Sequence, residues 1–253
     1  MTNDLELTLD AFIGGKVTVY QPRFGYRAGV DPVLLAGAVP AKSGQSVLEL
    51  GCGVGVASLC LIARVPGLSV TGLEIQANYA ALAAKNAKLN KAPLTICTAD
   101  LADLPADLNQ MSFDHVIANP PYFERGKSVA AVDAGRETAL GESTPLDTWV
   151  KAAAKRLAPK GIATFIHRAE RLPDLLTSFN GRLGSIQVLP LVARTGRDAK
   201  LIIVRGKKGG KAAFRMHDSV VMHRGDHHET DAGDYTKAID LCLVHGQALA
   251  FPK

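Results

Sequence analysis

From Ser46 onward, short β-like runs alternate with helical ones, and a chain patterned that way has few folds open to it. Strands this apolar need cover on both faces, and the helical runs between them supply it. The pattern therefore implies a doubly wound α/β sheet, mostly parallel. Ser46–Leu50 reads as the first strand, followed by a glycine turn and a helix over Val56–Arg64 that Pro66-Gly67 ends. Leu68–Leu73 is the second strand, and Gln76–Leu89 an alanine-rich helix closed by Asn90 and Pro93. Leu94–Thr98 and Phe113–Ala118 are the third and fourth strands. Leu146–Leu157 reads as helix, Pro159-Lys160-Gly161 as a turn into a fifth strand over Ile162–His167, and Leu172–Phe179 as helix. Ser185–Ala193 and Ala199–Arg205 are β-like and spaced to form an antiparallel pair; Ala213–His223 precedes a last helix from Tyr235 to Leu243. Phe123–Pro145 is polar and aperiodic, and a connection so long inside a compact domain is a functional lid or disordered.

Composition narrows the class. Hydrophobic residues make up 47% and charged ones 21% of the 253, which excludes disordered and fibrous chains. A net charge of +5 leans toward a polyanionic partner. Met1–Asp10 is acidic and lacks the apolar stretch of a signal peptide, and the longest apolar run, Ala57–Val65, is too short to span a bilayer. Cys52, Cys60, Cys97 and Cys242 form no Cys-x-x-Cys pair, so a reducing, cytoplasmic setting is expected.

Gly51-Cys52-Gly53-Val54-Gly55 follows a strand and opens a helix, where glycines permit a tight turn and close approach of a ligand to the backbone. A dinucleotide fingerprint would place its third small residue at position 56, which is Val56, so the spacing disfavours a pyrophosphate. Glu74 ends the second strand, where a carboxylate can accept from two vicinal ribose hydroxyls; Asp100 follows the third, placed for an adenine amino group. Each could be an exposed acid or a cap, but together they line the carboxyl edge of one sheet, where doubly wound folds bind ligands.

Val47-Leu48-Glu49-Leu50-Gly51-Cys52-Gly53-Val54-Gly55 resembles motif I of class I S-adenosylmethionine-dependent methyltransferases. The resemblance implies that Gly51, Gly53 and Gly55 lie against the methionine part of the cofactor with Glu49 nearby. It also implies that Glu74 holds the ribose, Ile75 packs on the adenine and Asp100 reads its amino group.

Asn119-Pro120-Pro121-Tyr122 leaves the fourth strand at the same edge. The prolines donate no backbone hydrogen bond and are stiff in φ, so they present carbonyls from a rigid loop. An exocyclic NH₂ has two donors, which the Asn119 oxygen and the Pro120 carbonyl can take one each. Tyr122 offers a π-face for a base, and Pro121 shapes the same pocket. Asn119, Pro120 and Tyr122 are thus the candidate catalytic residues, with Asn119 also reaching the cofactor. The alternative is a plain proline turn.

The motif is similar to those of adenine-N6 and cytosine-N4 DNA enzymes, guanine-N2 rRNA enzymes and release-factor glutamine methyltransferases. The Gly25–Ala36 block, preceded by Gln21-Pro22, resembles the opening of bacterial tRNA(Val) adenine-N6 methyltransferases, and Asp234-Tyr235-Thr236 resembles that family's ending. The implied function is methyl transfer to adenine N6 in tRNA, with protein glutamine and rRNA guanine N2 as alternatives. Residues 1–40 would then cover the cofactor and substrate, and residues 41–253 would be the methyltransferase domain.

Asp31-Pro32 makes a good helix start, Asp at the N-cap and Pro at N1; the functional reading sets Asp31 near the methionine end of the cofactor. Phosphate contacts need cations. Arg125, Lys127 and Arg136 follow the catalytic motif and are the candidate substrate-binding residues, Arg23 and Arg27 interleave with Phe24 and Tyr26, and the cluster from Arg205 to Arg215 reads as a solvated turn. His223, Asp226, His227, His228 and Glu229 match no zinc spacing, and the transfer needs no metal, so none is expected. His115, His167 and His245 read as strand or helix residues rather than general bases. Oligomeric state is left open.

Overall fold

The computed structural model describes residues 6–124, 141–142, 144–226 and 234–251. The chain opens with a hairpin, β1 (Leu7–Phe12) and β2 (Val17–Pro22), and a helix, α1 (Asp31–Ala38). Then come β3 (Ser46–Leu50), α2 (Val56–Arg64), β4 (Ser69–Glu74), α3 (Ala77–Leu89), β5 (Leu94–Thr98), α4 (Ala106–Gln110) and β6 (Phe113–Ala118). A short parallel pair, β7 (Phe123–Glu124) and β8 (Gly141–Glu142), is followed by α5 (Leu146–Arg156), β9 (Leu157–Arg168) and α6 (Leu172–Phe179). The chain continues through β10 (Gly184–Val192), β11 (Ala199–Lys207), β12 (Arg215–Met216), β13 (Val220–Val221) and α7 (Lys237–Leu243).

Among the described residues the main sheet has nine strands in the order β12-β10-β11-β9-β6-β3-β4-β5, with β13 also on β10. Strands β3, β4, β5, β6 and β9 are parallel, and β11 runs antiparallel to both β9 and β10. The doubly wound, mostly parallel sheet and its antiparallel C-terminal pair are therefore both present. Side chains alternate across the sheet as the period of two requires. Val47, Ile117, Ile166 and Ile203 enter one buried cluster with α1 and α2. Leu48, Val116, Phe165 and Val204 enter the other, with Trp149 and Val150 of α5 and Leu175 and Phe179 of α6.

Several sequence expectations shift. Pro159-Lys160-Gly161 does not end one element and begin another. It bulges within a continuous β9, with Lys160 at φ +67 and the register against β6 slipping between Phe113–Leu157 and His115–Ile162. Ala213–His223 supplies only the two short edge strands β12 and β13. The β1–β2 hairpin and α4 were not expected.

Asn86 of α3 ties the hairpin to the main domain. Its fully buried amide accepts from Tyr20 N–H at 2.8 Å and donates to the carbonyls of Tyr20 and Val54, each at 3.0 Å. One side chain thus joins β2 to the loop that opens α2. Asn86→Ala strands three backbone groups and should cost about 3 kcal/mol, a fall in Tm of about 6–12 °C by thermal melting. A shift within a degree or two would show that the hairpin is held by other contacts.

The sheet order reverses at β3. From β3 the chain builds outward through β4 to β5, then returns to place β6 on the other side of β3. Register pairs Leu50 of β3 with Leu73 of β4 and with Ala118 of β6, and Glu74 of β4 with Thr98 of β5. The segments beginning at Gly51, Ile75, Ala99 and Asn119 therefore leave the same edge side by side. That crevice is where open α/β sheets bind ligands.

Candidate active site

A cavity of about 890 Å³ opens at this edge. Its walls include Tyr26 and Asp31 from the N-terminal region, Glu49, Gly51 and Gly53 from the first loop, and Glu74, Ile75 and Asp100 from the next two. Asn119, Pro120, Pro121 and Tyr122 close the remaining side, with Trp149. Gly55 does not line it. It is the N-cap of α2 at φ +90, a backbone shape that only glycine adopts without strain, so its role is to turn the chain into the helix.

The other two glycines have separate reasons. Gly51 sits at φ +65 under the Trp149 ring, and a Cβ there would lie 2.6 Å from an indole carbon. Gly53, at φ +54, leaves room: its nearest neighbour would be the Tyr26 ring at 3.6 Å.

Glu49 shares a face of β3 with Val47, the face that α2 covers. Its Oε2 accepts from Ser58 Oγ at 2.5 Å and from Ser58 N–H at 3.0 Å, in the first turn of that helix. Burial pushes this carboxyl up to about 8, against the two Ser58 bonds, with the nearby Glu74 charge adding to the rise. A carboxyl whose folded value lies above its unfolded one binds more protons when folded, so stability falls as pH climbs between about 4.5 and 8. Glu49→Gln keeps an acceptor for Ser58 without the charge. In paired melts it should flatten that slope and exceed the parent in Tm at pH 8; identical slopes would refute a buried titrating Glu49.

Glu74 ends β4 with both oxygens engaged by backbone: Oε2 accepts from Gly53 N–H at 2.8 Å and Oε1 from Gln76 N–H at 2.9 Å. Burial raises its proton affinity and those amides oppose the rise. Each carboxylate oxygen retains a lone pair for a further donor. Ile75 beside it is 58% exposed, a large apolar side chain held open at the cavity wall. Asp100 accepts from Ala102 N–H at 2.8 Å through Oδ1, an Asx turn that aims the carboxylate while leaving Oδ2. A carboxylate with lone pairs to spare, an open apolar wall, a second acid and a glycine-rich loop fit an adenosyl group carrying a cationic, amino-acid tail. S-Adenosylmethionine is such a molecule, and Glu74, Ile75, Asp100, Gly51 and Gly53 would hold it.

Asp31 departs from one expectation. The N-cap of α1 is Val30, whose carbonyl takes the N–H groups of Val33 and Leu34 at 3.0 Å each, and no side chain caps the helix. The Asp31 carboxylate turns instead to the Tyr122 hydroxyl, 91 residues away in sequence. The same hydroxyl lies 3.0 Å from Asn119 Oδ1, so one phenolic proton is shared between two acceptors. Burial raises the Asp31 carboxyl, while the Tyr122 bond and the Arg168 charge oppose. The Tyr122 ring packs at 5.2 Å against His167 with a 54° tilt, and the Arg168 guanidinium lies 5.5 Å over it.

Tyr26, Tyr79, Trp149 and His167 were not foreseen as site residues. Tyr26 N–H donates to the Tyr79 hydroxyl at 3.0 Å, and that hydroxyl donates back to the Tyr26 carbonyl at 3.3 Å, pinning the Gly25–Gly29 loop to α3. Only the lone tryptophan of a helix facing the glycine turn hinted at Trp149.

The N-terminal arginines are engaged within the hairpin. Arg27 donates to Asp10 at 2.6 Å, Thr8 Oγ1 at 2.7 Å and the Pro22 carbonyl at 2.8 Å, and Arg23 pairs with Glu6 at 3.3 Å. Arg205 turns inward, 3.6 Å over the Phe251 ring, and so leaves the solvated turn it was expected to share. Arg125, Lys127 and Arg136 lie outside the described residues, as do His227, His228 and Glu229. His223 Nδ1 lies 2.6 Å from Asp234, which Arg194 also binds at 2.6 Å. Among the described residues no three His, Cys, Asp or Glu side chains gather to hold a metal, and no helix is long and apolar enough to cross a membrane.

Known proteins similar in sequence and fold identify the family. The model of the methyltransferase small domain matches residues 28–183. The tRNA1(Val) (adenine(37)-N6)-methyltransferase of Porphyromonas gingivalis (strain ATCC 33277) is 30% identical over 226 residues, covering 85% of this chain and 88% of that protein. The protein of the same name from Haemophilus influenzae (strain Rd) is 27% identical, covering 81% and 87%. Among solved structures, an Agrobacterium tumefaciens protein named as a predicted O-methyltransferase superposes with a TM-score of 0.69 at 23% identity, covering 87% of this chain and 98% of that one. A Thermus thermophilus 16S rRNA N2 G1207 methyltransferase, solved with AdoMet and guanosine, gives 0.55 at 19% identity, covering 80% and 50%. The chain belongs to the methyltransferase small domain family and is an S-adenosylmethionine-dependent methyltransferase.

Proposed function

We propose that this enzyme methylates N6 of an adenine in tRNA. The observation that carries the reading is that Asn119 and Pro120 line the cavity beside the first glycine loop, in a chain matched over 85% of its length by a Porphyromonas gingivalis protein named for adenine 37 of tRNA1(Val). When bound, S-adenosylmethionine supplies an electrophilic methyl group on a sulfonium.

The protein's contribution is alignment. Asn119 Oδ1 and the Pro120 carbonyl each accept one N–H of the exocyclic amine, which draws the nitrogen out of conjugation and stabilises it as it becomes cationic. The Tyr122 hydroxyl, now on Asn119, gives way to that amine and remains on Asp31. Its ring, backed by His167, walls the base. The methyl leaves an already cationic sulfur, so no strong base is needed, and the extra proton passes from the product nitrogen to solvent. Residues 1–40 cover the cofactor end through Tyr26 and Asp31. Phosphate contacts fall to Arg125, Lys127 and Arg136.

The test is incubation with labelled cofactor and total RNA from a strain lacking the gene, followed by nucleoside analysis. N6-methyladenosine in the tRNA fraction is expected, with a rate that falls steeply with salt. Label in N2-methylguanosine, or in a release-factor peptide and in no RNA, would overturn the adenine reading.

A further inference from the structure

The mechanism gives the polar atoms of His167, beside the acceptor loop, no role. His167 is fully buried near the end of β9, two residues beyond the register pair of Phe165 with Ala118, which brings it alongside the Asn119–Tyr122 loop. Its Nδ1 accepts the N–H of Arg168 at 2.8 Å, which places the ring proton on Nε2. Burial drives the imidazole down to about 4, with Arg171 next in the same direction, so the ring is neutral in the physiological range. Among the described residues no acceptor meets Nε2–H in full hydrogen-bond geometry. A loose hydrogen-bonding contact with the Pro121 backbone is nevertheless there, and it opposes the loss of proton affinity.

Buried orphan donors are rare, and a phenyl ring would fill the same space against Tyr122 without one. His167 is not among the described residues that line the cavity. What it faces is the backbone of the acceptor loop.

We propose that His167 is a positioning residue for the acceptor loop: Nε2–H closes on the Pro121 carbonyl when the base enters and Tyr122 releases Asn119. The bond clamps the peptide between the Pro120 carbonyl, which accepts from the amine, and the Tyr122 ring, which walls the base. This rests on the reading that Asn119–Tyr122 holds the acceptor. The loop has two anchors: Asp31 on the Tyr122 hydroxyl, present at rest, and His167 on the backbone, completed with substrate.

Three variants and one spectrum test it. His167→Phe keeps the ring and removes the donor; it should lower kcat by up to about a hundredfold while calorimetric Kd for S-adenosylmethionine stays unchanged. His167→Gln, whose amide can reach the same carbonyl, should recover most of that loss. Wild-type kcat in His167→Phe, or a His167→Gln no better than His167→Phe, overturns the proposal. In ¹⁵N-histidine-labelled wild-type protein, the Nε2–H resonance should move downfield when acceptor RNA is added; a resonance that stays in place overturns it even where a variant fails to fold. Asn119→Ala serves as the separate control. If that variant retains full activity, the acceptor reading fails; if it is inactive while His167→Phe is unimpaired, only the positioning role fails.

Discussion

Asn119→Ala should lower kcat by about 10²–10³ while leaving the affinity for S-adenosylmethionine within about twofold. The amide oxygen is the side-chain acceptor that the proposed mechanism sets against the incoming amine, and its bond there strengthens as the nitrogen gains positive charge. A bond that grows toward the transition state appears in kcat rather than in ground-state binding. Because Asn119 Oδ1 now lies 3.0 Å from the Tyr122 hydroxyl, its loss also leaves that hydroxyl wholly to Asp31. Single-turnover kinetics on tRNA, with calorimetry for the cofactor, separates the two quantities. An unchanged kcat, or a loss confined to cofactor affinity, would reassign Asn119 from the amine to the cofactor.

Glu74→Ala should act on the other half of the site. The substitution removes the acceptor of Gly53 N–H at 2.8 Å and of Gln76 N–H at 2.9 Å, together with the oxygens that would receive the ribose hydroxyls. Charge-assisted bonds of this kind contribute about 1.5–3 kcal/mol each, so the cofactor affinity should fall by about a hundredfold or more. Calorimetric titration measures it directly, and Glu74→Gln should lie between the two. A cofactor affinity unchanged by Glu74→Ala would remove the ribose from this carboxylate and leave it only the backbone of its own loop.

The elements that were legible in the sequence are those whose limits are written in local chemistry. Ser46–Leu50, Leu94–Thr98 and Phe113–Ala118 are short apolar runs between polar or glycine stops, and Val56–Arg64 is bracketed by Gly55 and Pro66-Gly67. The two loops that meet at the cavity, Gly51–Gly55 and Asn119–Tyr122, were legible as strand-end loops because each is carried by contiguous residues. The Leu7–Phe12 and Val17–Pro22 hairpin was not. Its anchor, Asn86, lies more than sixty residues downstream and looks in sequence like any polar residue of an alanine-rich helix. Asp31 misled for the same reason: the Asp-Pro pair has the chemistry of a helix cap, but a hydroxyl 91 residues away competes for the carboxylate and wins. His167 sits in a strand whose pattern gives no sign that one nitrogen would face the acceptor loop. Ala213–His223 has β-forming residues without the flanking partners that would extend it, since β12 and β13 sit at the sheet margin on β10.

Leu50 and Ala118 are register partners, and the two halves of the chemistry begin at the very next residues. Neighbouring strands stand about 4.8 Å apart, a spacing set by backbone hydrogen bonds and indifferent to side-chain identity. On the proposed reading, the gap between donor and acceptor is gauged by the sheet itself, as by a ruler. On the same reading, the sheet sets up the transfer and leaves recognition of the acceptor to the loops that leave its edge.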